Sequence, residues 1–135
     1  MTLGAPASPD RPLRGIPAID RSVLGEWLAG DDAAINELLA VFRDSVCAEL
    51  VGLHEVLALG HLDQYASTAH RMRGAALSMG ARALAECLGL LLTAARAQDG
   101  SACVDGMPAL EAHVRLMMAE VPGTAAPDGG GSSEG

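Results

Sequence analysis

Aromatic side chains are nearly missing from this sequence: Trp27, Phe42 and Tyr65 are the only three in 135 residues. A core must therefore be built from leucine, alanine, valine and methionine, which suits packed helices better than a sheet. β-branched residues are sparse after residue 25, so strands have little to work with. No apolar run approaches the roughly 18 residues needed to span a bilayer. The opening stretch MTLGAPASPDRPLRGIPA lacks the hydrophobic core of a signal peptide. Positive charge is also scarce. A net charge of -8 argues against nucleic acid, whose phosphates demand a clustered basic surface, and against an anionic membrane. There is no CxxC pair: Cys47, Cys87 and Cys103 are odd in number and widely spaced, and read as reduced core thiols in a cytoplasmic protein. Nucleotide motifs are missing too, with no GxxxxGK[ST] and no kinase-type glycine loop.

What is present is helical periodicity. Residues 1–17 hold four of the seven prolines and read as a linker, residues 18–121 as one domain, and residues 122–135 as a disordered tail. A short helix is expected over 20–29, capped by Asp20, with Val23, Leu24, Trp27 and Leu28 on one face. Asp31 or Asp32 caps a second helix over 33–59, striped by Ile35, Leu38, Leu39, Phe42, Val46, Leu50, Leu53 and Leu57. A third helix over 64–79, capped by Asp63, turns tightly at Gly80 into a fourth over 81–98 carrying Leu84, Leu88, Leu91 and Ala95. Gly100 to Gly106 read as a loop, and a last helix starts at Pro108 in its favoured first turn. The pattern predicts an all-α fold, an antiparallel up-down four-helix bundle with a short extra N-terminal helix.

The stretch ASTAHRMRGAALSMGA, residues 66–81, sets a glycine one turn beyond a histidine in good helix, at a cost of about 1 kcal/mol relative to alanine. On a helical wheel Tyr65, Ala69, Met72, Ala76 and Met79 share one direction, while His70 lies at about 140° and Gly74 at about 180° from it. His70 therefore points outward, with Ala66, Ser67, Arg73, Gly74 and Leu77 around it. Small neighbours leave the imidazole uncrowded, Arg73 can offset negative charge arriving at the ring, and a free-base imidazole is a nucleophile. The alternative is a solvated histidine without a role.

His70-Arg71-Met72-Arg73-Gly74-Ala75-Ala76, followed by Met79-Gly80-Ala81, resembles the signature of histidine-containing phosphotransfer domains. The resemblance extends over about residues 20–120 and takes in Ile19-Asp20, the ELLAVF run of residues 37–42 and Asp63. It implies a four-helix bundle that relays a phosphoryl group between aspartates of response-regulator receiver domains. His70 would be the acceptor, through the ring nitrogen distal to the backbone, and Arg73 would take the place of the family's usual lysine. Ala66, Ser67, Arg71, Gly74 and Leu77 would form the surface that docks receivers. The domain itself would carry no cofactor and have no ATP-dependent kinase activity, the divalent metal belonging to the partner receiver. It would work in the cytoplasm, free or at the C-terminus of a membrane-bound hybrid sensor kinase. One departure is Leu92: many relatives carry glutamine or glutamate there, holding the proximal ring nitrogen, and leucine cannot accept a hydrogen bond.

Other groups point to less. His54 and His61, near Glu55 and Asp63, match no standard metal-ligand spacing and read as solvated helix-end residues. His113 falls on the polar side of the last helix, and Met117-Met118 reads as core filler. The competing functional reading is a helical adaptor that docks receivers or other partners without phosphotransfer.

Overall fold

The computed structural model describes residues 18–121, and the expected linker and tail lie outside the described residues. Five helices follow one another: α1 (Arg21–Trp27), α2 (Asp32–Ala58), α3 (Leu62–Ser78), α4 (Arg82–Arg96) and α5 (Gly100–Ala119). Helix α2 packs on α3, α3 on α4, α4 on α5 and α5 back on α2, which closes an antiparallel up-down bundle. The short α1 lies against α2. The described residues contain no strand.

Side-chain caps fix where three helices start. Asp20 accepts from Ser22 N, Asp31 from Ala34 N and Asp99 from Ala102 N, each satisfying an amide that the first turn leaves orphaned. Helix α3 begins differently. Its N-cap is His61, without a side-chain cap bond, and Asp63 lies inside the first turn rather than before it. Tyr65 anchors that turn instead: fully buried, its hydroxyl donates to Met107 Sδ of α5 at 3.1 Å. Removal from water pushes the phenol pKa upward, so it stays a neutral donor.

The far end of α3 is set by Gly80. At φ +77° its N–H bonds Leu77 O and the Ala81 N–H bonds Ala76 O, the double closure of a left-handed helix stop. Gly80 O accepts from Asp20 N at 2.8 Å, and a Cβ on Gly80 would run into the Asp20 carbonyl. Glu120, just past α5, accepts from the Ala18 and Ile19 amides. The entry to the domain is thus tied both to the α3–α4 turn and to the end of α5.

Three further expectations need correction. Helix α5 starts at Gly100, eight residues before Pro108, so the expected loop is helix. An interior proline costs about 3 kcal/mol. Burial outweighs it: Cys103 and Met107, one and two turns in, continue the stripe of Leu110, Val114 and Met117, at about 1.5–3 kcal/mol for a side chain such as Met. Pro108 itself is exposed, where its ring meets solvent. His113 is 7% exposed, not on a polar side, because α5 is covered by both α2 and α4 and its buried face widens to include Ala109 and His113. Trp27 is 66% exposed: α1 is two turns long and only Leu24 on it is fully buried.

Candidate functional site

Helix α3 presents the faces its spacing dictates. Tyr65, Ala69, Met72, Ala76 and Met79 are buried, whereas His70, Arg71, Arg73, Gly74 and Leu77 are exposed. A Cβ built on Gly74 meets nothing within 4 Å, so this glycine serves no packing inside the domain. It leaves open space one turn beyond the imidazole.

On the other side of His70 lies an open cleft of about 320 Å³, lined by Asp63, Ala66, Ser67 and His70 of α3 with Arg96 and Gln98 at the end of α4. Ala66, Ser67 and His70 were expected together. Arg96 and Gln98 were not, since they join the cleft only through the packing of α4 on α3, and Asp63, two turns before His70 on α3, was expected as a helix cap rather than as cleft lining. The cation that lines the cleft is Arg96. Arg73 lies beside α4, where a Cβ at Gly89 would stand 3.3 Å from its Nε, so Gly89 makes the seat for the arginine stem. Arg71 turns the other way and donates from Nε to Glu49 Oε2 of α2 at 2.8 Å. Arginines therefore flank the histidine ridge on both sides, in a chain whose nine basic residues include no lysine.

Leu92 is 6% exposed and packs in the core, so the ring has no partner from that position. Gln98 Nε2 donates to Asp63 Oδ1 at 3.3 Å and to Ala95 O at 3.4 Å, linking the end of α4 to the first turn of α3.

The remaining candidates are structural. His54, expected to be solvated, has its Nε2 2.6 Å from Glu111 Oε2 and ties α2 to α5. Among the described residues no three His, Cys, Asp or Glu side chains converge as a metal site. Cys87 and Cys103 are buried free thiols, and burial pushes Cys87 up to about 11, so it carries no thiolate near neutrality. Cys47 is only half-buried, with its Sγ 3.7 Å from Met118 Sδ. Among the described residues no helix is long and apolar enough to cross a membrane.

The family model described as the Hpt domain matches residues 37–122, well over half of the chain. No curated protein and no solved structure matches it. The chain belongs to the Hpt domain family, whose domains carry histidine phosphotransfer in phosphorelays.

Proposed function

We propose that this Hpt domain accepts a phosphoryl group on His70 from the aspartyl phosphate of one receiver domain and passes it to the aspartate of another. The observation that carries the reading is the pairing of an exposed imidazole with open space at Gly74 on one side and the Arg96 cleft on the other. In the forward step the Nε2 lone pair of the neutral ring attacks phosphorus. The N–P bond forms as the P–O bond to the aspartate breaks, and that electron pair leaves with the carboxylate. Nδ1 keeps its proton. The return step is the same displacement with a second carboxylate as nucleophile and the imidazole as leaving group.

Such transfer passes through a loose, in-line transition state that needs positioning and charge rather than an acid or base. Arg96 and Arg73 supply cations on the α4 side, and the receiver brings the divalent metal. Ala66, Ser67, Arg71, Gly74 and Leu77 form the docking surface, of which Leu77 is the apolar part at 47% exposure. The relay belongs in the cytoplasm, with the domain either free or at the C-terminus of a hybrid sensor kinase.

Leu92 favours a second reading. With no acceptor there to orient the ring, the domain could dock receivers without accepting phosphate. One experiment separates the two: incubation with phosphoramidate or a phosphorylated receiver, followed by a search for acid-labile, base-stable phosphate. Wild type should label, and His70→Gln should not, at unchanged helicity. Undiminished labelling of that variant would move the site to His54, His61 or His113.

A further inference from the structure

Helices α2, α3 and α4 end with the same pair of hydrogen bonds. At Gly60 and Gly80 (φ +75° and +77°) the stop residue donates three residues back and the next residue five back. Helix α4 repeats this with Gln98 N to Ala95 O and Asp99 N to Ala94 O, both at 2.9 Å. Yet its stop residue, at φ +59°, is glutamine. Glycine makes this turn without the steric cost that a Cβ adds in the left-handed region. Among the described residues two non-glycine side chains stand in the left-handed region, Ala29 after α1 (φ +53°) and Gln98, and of the two only Gln98 lines the His70 cleft. A strained non-glycine residue beside a nucleophile points to a use for the side chain.

We propose that the Gln98 carboxamide is a ligand of the phosphoryl group carried on His70, held in the resting protein by Asp63. The inference rests on His70 being the acceptor. Both of its present bonds are at the long limit, 3.3 Å to Asp63 and 3.4 Å to Ala95 O, and both use the same Nε2, so the amide is only loosely engaged. A phosphoryl dianion is a stronger acceptor than either. The location also demands donors. The cleft lies at the C-terminus of α4, where the helix dipole places partial negative charge, and Asp63 adds a carboxylate. An anion there needs more than the charge of Arg96, and Gln98 supplies an N–H donor without another formal charge.

The test uses phosphoramidate as donor and three readouts. In the wild-type protein the Gln98 side-chain amide resonances should move when His70 is phosphorylated. Gln98→Gly should melt a few degrees higher, since the left-handed strain is relieved. Its phosphorylation rate should nevertheless fall about three- to tenfold, the effect of losing one modest hydrogen bond. Gln98→Asn keeps a residue tolerant of the turn but shortens the reach, and should be as slow. A structural role alone cannot produce a more stable and slower protein. The inference is overturned if Gln98→Gly reacts at the wild-type rate, or if the amide resonances stay still while His70 is labelled. Absence of phosphate from His70 in the wild type would instead overturn the acceptor assignment beneath it.

Discussion

Gly74 offers the sharpest test of how the His70 face is used, because structure and helix propensity push its substitutions the same way. It lies inside α3, exposed, with nothing within 4 Å of a built Cβ. Gly74→Ala should therefore stabilise the domain by about 0.8–1 kcal/mol, which for a domain of this size raises Tm by roughly 4–8 °C. Gly74→Gln should retain about half of that gain, since glutamine is a good helix former. What glutamine adds is bulk on the surface one turn from His70, at a Cβ separation of about 5–6 Å. A receiver whose phosphoaspartate must reach Nε2 would be held off. A displacement near 1 Å is enough to cost about a hundredfold in rate. Quenched-flow transfer from a phosphorylated receiver should slow at least about tenfold, while labelling by phosphoramidate changes less than about twofold. Two results would refute the reasoning: Gly74→Gln transferring at the wild-type rate, or Gly74→Ala melting lower than wild type.

Gly80 should behave in the opposite way. Gly80→Ala meets both the left-handed strain and the Asp20 carbonyl, and should cost about 2–3 kcal/mol, or a Tm drop of roughly 10–20 °C. Gly60→Ala has the same strain at φ +75° but open space around it, so its drop should be only about half as large. Equal drops would show that the Asp20 contact contributes nothing. Arg96→Ala should slow phosphorylation by phosphoramidate about five- to tenfold with little change in Tm, and Arg96→Lys should recover part of the rate. An unaffected Arg96→Ala would leave Arg73 as the cation that matters.

The α3 seam was legible because a one-sided 3.6-residue repeat fixes orientation without tertiary information. The same logic failed where local signals and burial disagree. Gly100, Gly106 and Pro108 spell a loop one residue at a time, yet Cys103 and Met107 extend the stripe that keeps α5 helical. Gly106 is itself a packing residue, since a Cβ there would strike the Leu91 side chain. Trp27 misled for a different reason: a two-turn helix has too few residues for its moment to decide what is covered. The His54–Glu111 pair joins residues 57 apart and has no local signature. Arg96 and Gln98 were missed on the same ground. The one available hint was the lack of a glycine two residues after Arg96, where α2 and α3 have Gly60 and Gly80 beyond their ends.

Why the far end of α4 should meet His70 follows from the turn at Gly80. With about 1.5 Å of rise per residue, His70 stands about 15 Å down α3 from Gly80, and Arg96 about 24 Å down the antiparallel α4. Helical side chains lean toward their own N-terminus. For His70 that lean is away from the turn, and for Arg96 it is back toward it. Imidazole and guanidinium therefore converge at a common level about 20 Å below Gly80, beside Ala66 and Ser67, which are small enough to leave a cleft. Leu92 is at nearly that level too, but its direction on α4 is inward, as its burial records. The two glycines of the signature thus have separate duties. Gly74 keeps the approach to the ring open, and Gly80, by tying α3, α4 and the Asp20 amide in one turn, sets the register that brings Arg96 and Gln98 to it.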